Sequence, residues 1–167
     1  MESIAFGMTD GVICFLGIIV GVARATSDPR AVIIASIVAG VADALGNSIG
    51  FFVSQSTERA VQIADEGNGE HGHIHSKKEV YLSGVSSFVA TVSVMLLLIW
   101  PFIFCTIWIA TSISFIIGII LSLGLGSVIG KLEKVNIYKS SVKYGAITML
   151  GAAISYGVGE LLQIYLQ

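Results

Sequence analysis

Five long apolar runs separated by short polar stretches organise the chain. The pattern predicts helices over Ile4–Ala25, Ala31–Phe52, Val80–Ile99, Phe102–Ile129 and Val142–Leu162. Each reaches the ~20 residues that, at ~1.5 Å rise per residue, cross the ~30 Å hydrocarbon core of a bilayer. None alternates apolar and polar residues as a lipid-facing barrel strand does. Trp100-Pro101 parts the third run from the fourth, because Pro cannot continue a helix and Trp suits the interface. The expected fold is all-α: an integral membrane five-helix bundle forming one domain over residues 1–167, with a polar cytoplasmic loop at about 57–79.

The second run, AVIIASIVAGVADALGNSIGFF, carries polar positions inside an apolar stretch. Read as a helix, Ser36, Gly40, Asp43, Asn47, Gly50 and Ser54 fall three or four residues apart and share one face. A carboxylate placed mid-membrane costs ~2.5–3.5 kcal/mol or more unless it meets a partner or a wet cavity. Asp10 in the first run is a second such carboxylate, with Gly7, Cys14 and Gly17 as its helical neighbours. The bland alternatives are an N-capping Asp10 beside Thr9, and a packing hydrogen bond for Asp43. A contact of the latter kind, worth ~1 kcal/mol, does not require a carboxylate.

Small residues recur at helix-packing spacing: Gly118, Ser122, Gly126 and Gly130 in the fourth run, Gly17 and Gly21 in the first, Gly46 and Gly50 in the second. Such stripes let backbones approach closely.

Composition agrees with a chain given over to membrane spans. Of 167 residues only 12% are charged, about half the usual share, and mean hydropathy is +0.88. Cys14 and Cys105 both lie in apolar runs and read as small buried residues. No cleavable signal peptide is expected, since the first run lacks a basic leader. Basic residues are too few and scattered for nucleic acid, and no nucleophile elbow, P-loop or HExxH motif suggests an enzyme.

Lys and Arg set the expected orientation. Arg59, Lys77 and Lys78 follow the second run, and Lys131, Lys134, Lys139 and Lys143 join the fourth to the fifth. The opposite side holds only Arg24 and Arg30. The positive-inside bias puts the N-terminus in the cytoplasm and the C-terminus outside a multi-pass cell-membrane protein.

Two carboxylates on one cavity suit a cation path and can exchange protons. Asn47, one turn beyond Asp43, offers an amide as a neutral ligand, and Thr9 and Ser48 offer hydroxyls. The loop between the second and third runs holds Glu66, Glu70, His71, His73 and His75, which can converge on a metal or merely belong to a soluble tether. Glu58 and Glu160 sit near run ends, as vestibule residues or as ordinary solvated ends.

The segments MTDGVICFLGIIVGVA and VADALGNSIGFFVSQSTE, with the late GKLEKVNIYKSSVKYGAITMLGAAISYGVGELL, resemble the vacuolar iron transporter family of Fe²⁺/Mn²⁺ carriers. The resemblance is strongest over Phe6–Glu58. It implies a homodimer with an ion path between the first helices, and proton-coupled export of a divalent metal, with no resident cofactor. It matches Asp10 to the path acid of the first span, Asp43 to the acid of the second, and Glu58 to the Glu that closes that motif. Two positions depart from the pattern. Asn47 stands where the family has Met, and Phe51 where an acidic or polar residue is common. An amide in place of a thioether weakens preference for softer ions. The long glutamate-lined capture domain of some family members is missing, with only the short acidic and His-bearing loop in its place. The alternative is a non-transporting membrane protein of the same fold that serves as a binding or assembly partner.

Overall fold

The structure, a computed structural model, describes residues 2–67 and 76–166. It is all-α. Helix α1 spans Glu2–Thr26, α2 Pro29–Gly67, α3 Lys77–Ile99, the one-turn α4 Pro101–Phe104, α5 Ile107–Leu132 and α6 Ile137–Leu166. Five segments are long and apolar enough to cross a membrane, with α3 and α4 together making the third.

Local chemistry explains the boundaries. Ser27, in the left-handed region at φ 52°, turns the chain out of α1. Asp28 Oδ1 then accepts from the Arg30 backbone N–H at 2.9 Å, with Pro29 opening α2. Lys134, at φ 56°, makes the same exit from α5, and Asn136 Oδ1 caps α6 through the Lys139 N–H at 3.2 Å. Ser76 and Glu79 form a reciprocal capping box at the start of α3.

Three boundaries differ by five residues or more from the sequence expectation, among them the last span, which opens at Ile137 rather than Val142. The second helix does not stop at Phe52 but runs to Gly67. Residues 57–67, expected in a loop, are rich in Glu, Arg, Ala and Gln, hold no Pro, and meet no glycine before Gly67. The side chains of Gln55 and Gln62 both donate to Glu58 along this extension. The fourth span starts at Ile107 rather than Phe102, because Pro101–Phe104 closes one short turn before Cys105 and Thr106 extend the backbone.

Helix α1 is the centre of the bundle, packed against α2, α3, α5 and α6. Val12, Phe15, Leu16, Ile19 and Ala23 are essentially removed from the surface. Close approach depends on glycine at particular places. Gly7 of α1 lies on the Ser87 carbonyl of α3, and Gly17 and Gly21 lie on Ser155 of α6. The α5 stripe packs as its spacing predicts: Gly118 faces Leu16, and Gly126 and Gly130 face Ser140 at the start of α6. The Gly46–Gly50 pair does not, since neither has a neighbour within 4 Å of where a Cβ would stand. Large apolar side chains such as Ile34, Val38 and Ile49 point outward from α2, as expected of a face in contact with lipid.

Candidate functional site

Helices α1 and α2 are antiparallel neighbours, so Asp10, eight residues into α1, comes level with Asn47 in the middle of α2. The Asn47 amide Nδ2 donates to Asp10 Oδ2 at 2.9 Å and to Thr91 Oγ1 of α3 at 3.4 Å. Thr91 is fully buried, and its hydroxyl lies 3.1 Å from both the Gly7 and the Ser87 carbonyl oxygens. The carboxyl of Asp43, one turn back along α2, interacts with that of Asp10. Its Oδ2 atom is buried without a hydrogen-bond partner. Cys14, one turn along α1, is within electrostatic reach of both carboxyls.

Two acids in apolar helices therefore meet at one level of the bundle, with Asp10 bonded to the Asn47 amide, which in turn donates to the Thr91 hydroxyl. No basic side chain is hydrogen-bonded to them among the described residues. Thr9 Oγ1, Ser36 Oγ and Ser87 Oγ are also buried and unpartnered. Such groups are costly to leave unsatisfied. Among the described residues, no three His, Cys, Asp or Glu side chains group closely enough to hold a metal ion. The donors at this level are two carboxyls with neutral oxygen and nitrogen groups.

The polar face predicted for the second run is buried at Ser36 and Gly40 and half-buried at Asp43 and Asn47, but Gly50 and Ser54 are exposed. The Asn47 nitrogen, not its oxygen, is turned toward Asp10. Ser48 packs on Gly84 of α3 rather than joining the acids. Glu58 is exposed and bonded to Gln55 and Gln62. It lies fifteen residues beyond Asp43 on the same helix, which is about 22 Å along the axis. Glu70, His71, His73 and His75 lie outside the described residues. Glu66 is on the last turn of α2.

Sequence reading passes over Thr91 and Phe6. Thr91 belongs to a Gly84–Ser87–Thr91 stripe of three- and four-residue spacing, the same signal that marks the polar face of the second run. Phe6 is one turn before Asp10 and Phe51 one turn beyond Asn47, and their rings meet edge to face at 5.1 Å. The ring pair thus stands one turn from the carboxyl level on the side of the α1 N-terminus.

A second polar cluster lies three to four turns further along α1. The Arg24 guanidinium bonds Glu160 and Gln163 of α6 and stands 5.6 Å from the Tyr156 ring centre. Glu160, expected to be solvated or to line a vestibule, is an ion-pair partner. Between the two clusters, a groove of about 700 Å³ separates α1 from α6, running from Cys14 to Gln163.

Residues 1–71 match the model of the VIT family. The matched segment is less than half of the 167-residue chain and includes Asp10, Asp43, Asn47, Glu58 and the Phe6–Phe51 ring pair. Comparison with curated proteins finds no match.

Proposed function

We propose that this chain is a VIT-family carrier that moves a divalent metal cation, Fe²⁺ or Mn²⁺, out of the cytoplasm in exchange for protons. The observation that carries this reading is the Asp10–Asp43 pair. Two carboxyls share one level of an apolar bundle, one of them has a buried oxygen without a protein partner, and neither bonds a cation. A site of this kind is stabilised by a positive charge that comes and goes. Both acids fall within the segment matched by the family model.

In this reading Asp10 and Asp43 ligate the ion and accept protons when it leaves. Protonation removes the repulsion between the two carboxylates, and so supplies the neutral state that the ion otherwise supplies. Asn47 holds Asp10 in place and Thr91 holds Asn47. Hard and borderline divalent ions suit carboxylate and amide donors. The chain works as a homodimer in the cell membrane with its N-terminus in the cytoplasm. Glu58, Glu66, Glu70, His71, His73 and His75 lie on that side, where they collect the ion before it enters.

The test is flux into proteoliposomes. Fe²⁺, Mn²⁺, Co²⁺ and Zn²⁺ are offered with and without an imposed pH gradient, beside the Asp43→Ala protein. Gradient-dependent flux that disappears in the variant is expected. Full flux in the variant sinks the assigned path. No flux of any ion through folded wild-type protein favours the non-transporting alternative.

A further inference from the structure

The turn from α5 to α6 is strongly basic. Residues 131–143 hold Lys131, Lys134, Lys139 and Lys143 and a single acid, Glu133. All four lysines are exposed, and none of them forms an ion pair among the described residues. Lys143 Nζ stands 5.9 Å from the Tyr144 ring centre, a contact that leaves its N–H donors open to an acceptor. The other end of α6 is arranged differently, since Arg24 is engaged there by Glu160 and Gln163.

Depth decides what meets these cations. Helix α6 has 30 residues, which is ~45 Å at ~1.5 Å rise per residue. The hydrocarbon core takes ~30 Å, and the headgroups bring a bilayer to ~40–45 Å. The first two turns of α6 therefore stand at headgroup level. Two stripes run side by side there. Lys139 and Lys143 lie one turn apart on one, and Tyr138 and Val142 one turn apart on the other. Tyr138 is 78% exposed and Val142 47%, and Tyr favours the boundary where hydrocarbon meets headgroups. Clusters of about four or more basic residues beside a span attract anionic lipids. We propose that Lys139 and Lys143 bind the phosphate of an anionic membrane lipid in the leaflet on the side of the α1 N-terminus, with Tyr138 and Val142 against its glycerol and first acyl carbons. Lys131 and Lys134, across the turn, add to the positive potential that draws the lipid in.

Thermal unfolding of the purified protein in neutral detergent tests this surface, with short-chain phosphatidylglycerol titrated in at constant ionic strength. Phosphatidylcholine and inorganic phosphate serve as parallel arms. Phosphatidylglycerol is expected to raise Tm saturably, since a ligand that binds only the folded state stabilises it. Each basic side chain near a lipid surface is worth about a fivefold change in affinity. Lys139→Gln and Lys143→Gln should therefore each raise the half-saturating concentration about fivefold, and together about 25-fold. The pair Lys139→Arg with Lys143→Arg should stay near wild type. So should Arg30→Gln, which removes an exposed cation at the opposite boundary. No saturable rise with phosphatidylglycerol, or unchanged half-saturation in the double Gln variant, overturns the assignment. An equal weakening in Arg30→Gln overturns its place on α6. An equal shift with phosphatidylcholine overturns the role of the charge, and an equal shift with inorganic phosphate overturns the lipid as the source.

Discussion

Helix α1 carries two charged clusters, and they are settled in opposite ways. Near its C-terminus Arg24 meets Glu160, with Gln163 and the Tyr156 ring completing the shell. Charge there is balanced within the chain. Near its N-terminus Asp10 meets Asp43, and the Asn47 amide that bonds Asp10 is itself bonded to the Thr91 hydroxyl. A bundle able to place an arginine against a carboxylate at one end places none against two carboxylates at the other. Charge balance in a low-dielectric setting is worth several kcal/mol, so the imbalance is informative. The Arg24 cluster fastens α1 to α6. In the proposed function the Asp10 cluster is completed by an ion that arrives from outside the chain.

The contrast breaks most sharply on two single substitutions. Asp43→Ala is expected to reduce metal flux to background while thermal stability holds or rises, because a pair of mutually repelling carboxyls becomes a single one. Glu160→Gln should do the reverse, keeping flux while Tm falls, because the guanidinium loses its counter-charge. Swapping the charges, Arg24→Glu with Glu160→Arg, should recover much of that loss. Flux that survives Asp43→Ala, or vanishes in Glu160→Gln while the protein remains folded, would dissolve the distinction between the two clusters.

The packing beneath the Arg24 cluster gives a smaller effect of known sign. Gly159 of α6 lies directly on the Gly21 carbonyl of α1, and a Cβ there would stand 3.1 Å from Arg24 Cβ. Both contacts involve atoms at or next to the backbone, so Gly159→Ala forces α6 away from α1. Overpacking of this kind costs about 1–3 kcal/mol, read as a lower Tm. The α1–α2 carboxyl level sits eleven residues from Gly21 along α1 and should keep its ion affinity. By contrast Gly46→Ala, in open space on α2, should be neutral or gain up to about 1 kcal/mol of helix propensity. A clear loss there would indicate that a second protomer covers that face.

How much of this was legible in the sequence depends on what each feature rests on. The five spans follow from uninterrupted apolar length, a property of the chain alone. The Asp43–Asn47 face follows from helical spacing for the same reason. The end of α2 was not legible: the charge and polarity of residues 57–67 argue for solvent exposure, and exposure is compatible with helix as well as with loop. The pairing of Glu160 with Arg24 joins residues 136 apart, and spacing within one helix says nothing about which helix lies opposite. The central place of α1 was hidden similarly. Its Val12, Phe15, Leu16 and Ile19 look no different in sequence from apolar residues that face lipid, because both surroundings select the same side chains.

The finest test concerns the hydroxyl that holds the carboxyl level together. Thr91 is buried on α3, bonded to the α1 backbone at Gly7, and within 3.4 Å of the Asn47 amide that fixes Asp10. Thr91→Val preserves shape and removes the hydroxyl. One hydrogen bond of this kind is worth about 0.5–1.5 kcal/mol, and the Gly7 carbonyl retains its helical partner. A modest fall in Tm is therefore expected. If Thr91 only packs, ion affinity should not move at all. If it positions Asn47 and through it Asp10, the apparent affinity for metal should weaken by about two- to tenfold, while the maximal rate stays close to wild type. Thr91→Ser, which restores the hydroxyl in a smaller side chain, should recover the affinity even where it fails to recover the stability. That split between affinity and stability would tie the α3 hydroxyl to the open cluster.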